Sequence, residues 1–297
     1  MDDFASAAMM RLVHAGLARQ GIALPGSPPS GARVPRAGKA TLLGAVLEAH
    51  GPAALLCIGE AIPEMPREPV LAALLKASDA HDLLERWSRL ERFSHGRHRI
   101  EATRLAPDRV RLRHLRRTGD ARPSEAETFL VLGVVAALVE TITGQAATLW
   151  TGSSQLHRGG VPMEMPTLPE DRVVDLTHAS GRPRPAPAPS SDADLAQALR
   201  ARIAEDPVHR WTVAGAARDL GLSARGLQRH LAARGASFSR IVQDVRLEVA
   251  GSFLLQQECP SLAEIGFLAG YSDQAHFTRR FTEGVGTAPG AFRTQFA

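Results

Sequence analysis

The chain predicts an α+β N-terminal domain followed by an all-α C-terminal domain with two helix-turn-helix units joined by a linker helix. Three observations predict this. The segment Gly181-Arg182-Pro183-Arg184-Pro185-Ala186-Pro187-Ala188-Pro189-Ser190-Ser191 alternates proline with small or basic residues, so it favours extended polyproline conformation and divides the chain. Before it, helical periodicity and strand alternation are mixed. After it, every strong signal is helical, and one pattern returns about 49 residues later. The expected boundaries are residues 1–177 for the first domain, 178–191 for the linker and 192–297 for the second.

Within the first domain a short helix spans Phe4 to Arg19, and the Pro- and Gly-rich stretch Pro25 to Gly38 sets it apart. Lys39 to His50 and Asp79 to Phe93 have helical spacing; Leu83, Leu84, Trp87 and Leu90 recur at three- and four-residue steps. Arg99 to Leu105 and Arg109 to His114 read as strands around the turn Ala106-Pro107-Asp108. Val110 and Leu112 alternate there with Arg109, Arg111 and Arg113, as in a half-buried strand. Ser124, with Glu127 three residues on, forms a capping box for a helix that runs to Thr143 and stops at Gly144.

The second domain repeats itself. Val213-Ala-Gly-Ala-Ala217-Arg-Asp-Leu220-Gly221-Leu222-Ser223 is echoed by Leu262-Ala-Glu-Ile-Gly266-Phe-Leu-Ala269-Gly270-Tyr271-Ser272. Ala217 or Gly266 is small where two helices press together. Gly221 or Gly270 follows four residues later, where a sharp turn needs a positive φ. Ser223 or Ser272 is placed to cap the second helix. Pro260, then Ser261 with Glu264, starts the second copy with a capping box. The units are expected at about 212–233 and 261–284, joined by a linker helix at about 237–256 with Ile241, Val245, Val249 and Phe253 at four-residue steps.

In each second helix the apolar residues, Leu227 and Leu231 or Phe277 and Phe281, point inward. The opposite face carries Arg225, Gln228 and Arg229 in the first copy. It carries Gln274, His276, Arg279 and Arg280 in the second. Arginine can grip guanine O6 and N7, and glutamine can grip adenine N6 and N7, so both helices are candidates for the major groove of double-stranded DNA. One such pattern is easily imitated by any helical corner with a glycine turn; two in register, each with an arginine face, are not.

Composition narrows the class. The formal net charge is +4, and the only lysines are Lys39 and Lys76. Such a charge attracts polyanions without identifying one. Cys57 and Cys259 lie far apart with no CxxC partner, which argues against a disulfide framework or a cysteine zinc site and suits a reducing cytosol. Met1-Asp2-Asp3 places acid where a secretory signal carries base. The longest apolar run, Phe129 to Val139, is shorter than the ~20 residues that span a bilayer. A soluble cytoplasmic protein with no membrane partner is the expectation. No Ser-His-Asp spacing, phosphate loop or metalloprotease signature stands out, so no catalytic residue, cofactor or metal site is expected. His95, His98 and His114 read as surface histidines.

At the C-terminal residues the chain resembles the AraC/XylS family of transcriptional regulators. The likeness runs from about Asp192 to Phe296. It rests on Arg246-Leu-Glu-Val-Ala250 with Leu254-Leu255, on Ile265-Gly-Phe-Leu-Ala-Gly270-Tyr-Ser-Asp273, on Phe277-Thr-Arg-Arg-Phe281, and on Gly286-Thr-Ala-Pro289-Gly-Ala-Phe292-Arg293. The resemblance implies seven helices with two helix-turn-helix units, and DNA contacts at Arg225, Gln228, Arg229, Gln274, Ala275 and Arg279. It also implies RNA polymerase as a partner; the chain is read as an activator, with repressor the alternative, and as compatible with a homodimer. Leu42 to Gly144 resembles the "arabinose-binding-like" effector domain of some of these regulators, through Ser78 to Phe93, the arginine-rich hairpin and Ser124 to Thr143. Residues Ala146 to Leu176 depart from that pattern, so the effector pocket is altered or absent there.

Arginines crowd the first domain between Arg86 and Arg117. They form either a pocket for an anionic small-molecule effector, with Arg99, Arg111 and Arg113 as its residues, or a solvated strand face. A first domain that serves only as a protein-interaction module is the alternative to an effector domain.

Overall fold

The protein is described by a computed structural model covering residues 4–24, 36–65, 69–93, 98–116, 122–159, 161–162, 167–178, 194–256 and 260–296. The chain divides into two compact units, Met1–Arg182 and Pro183–Ala297. Apart from His178, the predicted proline-rich linker lies outside the described residues, as do His95 and Cys259.

The first unit sets helices against one antiparallel sheet. The helices are α1 (Phe4–Arg19), α2 (Arg36–Leu56), a 3-10 helix (Cys57–Glu64), α3 (Pro69–Leu75), α4 (Ala80–Phe93) and α5 (Glu125–Thr143). The strands are β1 (His98–Ala106), β2 (Arg109–Arg116), β3 (Thr148–Thr151), β4 (Ser154–Arg158), β5 (Val161–Pro162) and β6 (Val173–Thr177). The sheet order is β1-β2-β6-β3-β4-β5. The divergent segment after Gly144 therefore supplies four strands that the sequence did not reveal, and β6 is inserted between the predicted hairpin and the rest.

Local chemistry explains the predicted elements. The Ser124 hydroxyl accepts from the Glu127 N–H at 3.1 Å, and the Glu127 carboxylate accepts from the Ser124 N–H at 2.9 Å. Gly144 closes α5 with φ 69°. The helix expected to end at His50 breaks at Gly51 (φ 74°), and turns resume from Pro52 to Leu56.

Helix α5 is the core of this unit. Its buried residues run without regard to one face, from Ala126 to Val139. At 19 residues it is long and apolar enough to cross a membrane, as is the stretch Gly38–Glu64, so the short run read from sequence understated it. Two thirds of its most apolar window is buried inside its own unit, as expected of a core helix. Glycines let the backbone approach closely: a Cβ on Gly133 would lie 2.1 Å from the Leu56 carbonyl oxygen, and one on Gly59 would lie 2.6 Å from Ala137 Cβ. The 3-10 helix is thus pressed onto α5.

One sheet face buries Ile100, Val110, Leu112, Leu149, Val174 and Leu176. It also buries His114, which corrects the surface assignment for that residue. The Thr128 hydroxyl donates to the Ser124 carbonyl at 2.8 Å, so it must accept from His114 Nδ1 at 3.0 Å, which sets the tautomer.

The second unit has seven described helices: α6 (Asp194–Glu205), α7 (Val213–Asp219), α8 (Ala224–Ala232), α9 (Phe238–Leu254), α10 (Leu262–Leu268), α11 (Gln274–Val285) and α12 (Pro289–Phe296). Leu195, Leu199 and Ile203 of α6 join Ala217, Leu227, Leu231, Ile241 and Val245 in one apolar cluster. Tyr271, Phe277, Phe281, Phe292 and Phe296 stack in sequence at ring distances of 4.8–5.8 Å on the other side. Helix α9 packs on α6 and also on α10, α11 and α12, so one rod carries both halves. Its buried stripe differs from the predicted four-residue ladder: Ile241 and Val245 are buried, but Ala250 and Leu254 replace Val249 and Phe253. A strict four-residue step overruns the helical turn by about 40° each time, so the stripe must slip by one residue to stay facing the core.

Candidate nucleic-acid interface

Each helix-turn-helix is built by the same local rules. Thr212 caps α7 by accepting from the Gly215 N–H at 3.0 Å. The chain then turns at Gly221, φ 71°. Ser223 caps α8 by accepting from the Gly226 N–H at 3.0 Å. In the second copy Ser261 and Glu264 form the predicted capping box, with bonds of 3.2 and 2.8 Å. The turn falls on Gly270, φ 81°, where a Cβ would lie 1.9 Å from the Pro207 carbonyl oxygen.

The second copy departs from the sequence reading at its cap. Asp273, not Ser272, caps α11, accepting from the His276 N–H at 2.7 Å. The Ser272 hydroxyl donates to Asp273 Oδ2 at 2.9 Å and lies 2.9 Å from His276 Nδ1. The extra residue in the second copy moves the cap one position on, and aspartate serves as well as serine.

On α8, Leu227 and Leu231 are buried while Arg225, Gln228 and Arg229 are exposed. Their three- and four-residue spacing puts these three on one face. On α11, Phe277 and Phe281 are buried, Ala275 and Arg279 are exposed, and Gln274 and His276 are half-buried. Two residues of this face are tied to the protein. Arg280 pairs with Glu283 at 3.0 Å. The His276 ring meets Tyr271 edge-on at 5.5 Å, and burial, followed by the neighbouring arginines, lowers its pKa, so the neutral form is favoured. His276 therefore buttresses the turn. Sequence reasoning missed the group beneath it: Tyr271 is buried and Arg246 of α9 half-buried, and Arg246 Nε and the Tyr271 hydroxyl have no hydrogen-bond partner.

Arg99, Arg111 and Arg113 of the first unit share one exposed face of the β1–β2 hairpin. The register puts Arg109, Arg111 and Arg113 on the exposed sheet face, opposite Ala106, Thr103 and Glu101. Arg111 holds Asp175 through two bonds of 2.8 and 3.2 Å, and Arg109 adds a third. The Arg111 guanidinium holds the Asp175 carboxyl below its ordinary pKa range. Arg99 and Arg113 are exposed. Arg86 is fully buried, with Nη1 donating to the Ala73 carbonyl at 2.8 Å and Nε to Asp82 at 3.0 Å. A separate cleft of about 280 Å³ lies by the hairpin, lined by Asp79, His81, Arg104 and His178 among others.

Comparison with known proteins places the second unit. Residues 216–295 match the family described as "Helix-turn-helix domain". Over 78 residues the chain is 37% identical to the ornithine utilization regulator of Pseudomonas aeruginosa; the match covers 26% of this chain and 23% of that protein, so less than a quarter of the relative is spanned. Among solved structures, a DNA-binding transcriptional dual regulator of Escherichia coli K-12 aligns with 34% of this chain and 90% of its own, at 21% identity and a TM-score of 0.33. The transcriptional regulator CdpR of Pseudomonas aeruginosa aligns over 99% of both chains, at 19% identity and a TM-score of 0.37. The repeated turns, the capped second helices and the family match agree: the C-terminal unit is a helix-turn-helix domain of the AraC type.

Proposed function

We propose that this protein is a sequence-specific DNA-binding transcriptional regulator that reads two successive major grooves with α8 and α11. The observation that carries this is the single rod α9, which shares an apolar cluster with α8 and packs on α11, each of these two helices having an exposed arginine face. Arg225, Gln228 and Arg229 read the first groove. Ala275, Arg279 and Gln274 read the second, where Ala275 offers a methyl to thymine and Arg279 a fork to guanine. His276 orders the turn that aims them. Phosphates are met by helix N-termini as well as side chains, which suits a chain of modest net charge. Recognition, rather than catalysis, is the activity, exercised in the cytoplasm and passed on to RNA polymerase.

The full-length chain, titrated onto DNA upstream of its own gene with random DNA as competitor, tests this. A preference of ~10³ or more over random DNA is expected. No binding at low salt would overturn the reading.

Control by a small molecule is the second part of the proposal. With Arg111 engaged by Asp175, the cleft beside Arg104, His81 and His178 is the better place for an anionic effector than the open sheet face. The competing reading, a first unit that serves only for dimerisation or protein interaction, expects no stabilisation by any small anion, whereas a ligand of the folded state must raise the melting temperature.

A further inference from the structure

Away from the DNA-reading helices, the first unit brings His157 against two residues of one helical turn about 100 positions earlier. Cys57 and Glu60 lie on the 3-10 helix, and His157 lies on β4. Their nearest ligand atoms, thiol sulfur, carboxylate oxygen and imidazole nitrogen, all lie within 4.8 Å of one another. His157 is only 2% exposed, yet neither of its ring nitrogens has a hydrogen-bond partner. Glu60 Oε1 is likewise buried and unpartnered. Leaving such groups unsatisfied costs free energy, and native folds rarely tolerate three such atoms in one place without something that binds there.

A second carboxylate, Glu140 of α5, lies near enough for Glu60 to add to the burial that raises the Glu140 pKa. The thiol of Cys57 is pushed up to about 12 by burial and by Glu60, to which it is hydrogen-bonded.

We propose that Cys57, Glu60 and His157 form a binding site for a divalent transition-metal ion of the zinc type. A thiolate, an imidazole and a carboxylate are the ligand types such an ion takes, with a fourth position left for water or a small ligand. Bonds of ~2.0–2.3 Å in a tetrahedron put ligand atoms roughly 3.3–3.8 Å apart, so the three need to close by at most about 1.5 Å. The framework is stiff enough to hold them: Gly59 sits against Ala137 and Gly133 of α5, and Gly16 of α1 against Ile58. Binding replaces the Cys57 proton with the ion, satisfies Glu60 Oε1 and one His157 nitrogen, and ties the 3-10 helix to the sheet. The mixed set excludes calcium and magnesium, which take oxygen ligands.

The test uses the full-length chain in a Cys259→Ser background, stripped with chelator and titrated with zinc alone, with cobalt as a spectroscopic probe. One equivalent is expected to bind and to raise the melting temperature, while magnesium does neither. The cobalt complex is expected to show a thiolate-to-cobalt charge-transfer band that Cys57→Ser removes. Cys57→Ser and His157→Gln should each weaken zinc at least ~10-fold, since even residues behind the ligands are worth ~10–100-fold. Should either variant misfold, alkylation of Cys57 in the parent protein decides: zinc must protect it stoichiometrically. Absence of a stoichiometric site, a cobalt spectrum without the thiolate band, or undiminished binding in both folded variants would overturn the proposal.

Discussion

Gly221 and Gly270 occupy the same place in the two helix-turn-helix units, yet replacing each by alanine should have different consequences. Both have positive φ, 71° and 81°. An L-residue held there costs ~1–2 kcal/mol. At Gly221 nothing lies within 4 Å of the added Cβ, so that backbone cost is the whole effect. At Gly270 the Cβ would lie 1.9 Å from the Pro207 carbonyl oxygen, 2.7 Å from its carbon and 3.0 Å from Arg246 Nε. Two of these are backbone atoms that cannot swing away, so an overpacking cost of ~1–3 kcal/mol is added. Gly270→Ala should therefore cost ~2–5 kcal/mol and Gly221→Ala ~1–2 kcal/mol, against the ~5–15 kcal/mol that holds a typical domain. At ~4–8 °C per kcal/mol for a domain of this size, Gly270→Ala should lower Tm by at least ~8 °C. Urea unfolding of the fragment 183–297, followed by helical ellipticity, measures both. Equal losses within ~0.5 kcal/mol would refute the reasoning, because the approach of Pro207 to the turn would then carry no energetic weight.

Three further outcomes are expected. Arg229→Ala and Arg279→Ala should each lose ~1–3 kcal/mol of operator binding, with relaxed base preference at one position, measured by competition against single-base operator variants; a uniform loss across all variants would make them phosphate contacts. Asp273→Ala should cost ~0.5–2 kcal/mol of stability as a lost helix cap, and Ser272→Ala distinctly less, in the same urea experiment; the reverse order would restore serine as the cap. His114 is held down to about 3 by burial, followed by His98. Its unfolded state takes up a proton near the ordinary value of 6.5, so stability is full above that pH. It then falls by about 1.4 kcal/mol per pH unit towards the folded value. His114→Gln should flatten the urea midpoint between pH 6 and 4, and an unchanged slope would count against the burial argument.

What could be read from the sequence was what local chemistry decides. The Ser124–Glu127 box, the Gly144 stop and the hairpin at Ala106-Pro107-Asp108 all depend on residues within a few positions of one another. The two glycine turns were visible for the same reason. Where two neighbours could do one job, as with Ser272 and Asp273, local pattern alone did not choose; backbone geometry did. The spent state of Arg111 was invisible because Asp175 reaches it only through β6, a five-residue strand whose place between β2 and β3 follows from no sequential neighbour.

The same limit hid the cluster of Cys57, Glu60 and His157. Counting cysteines looks for a second cysteine close in sequence, and Cys57 has none; Glu60, three residues on, is no signal by itself. Its neighbours in space come from a strand 100 residues on and from a 3-10 helix held by glycine contacts to α1 and α5. The DNA-reading faces were legible because a helix brings residues three and four apart together by itself. A site assembled from a helical turn and an inner strand of the sheet becomes legible only once the sheet order is known. That difference is physical: the first kind of site needs only the turn of one helix to align its residues, and the second exists only while the first unit is folded. Ligand-dependent stability is therefore the right measurement for the second, and base-specific affinity the right one for the first.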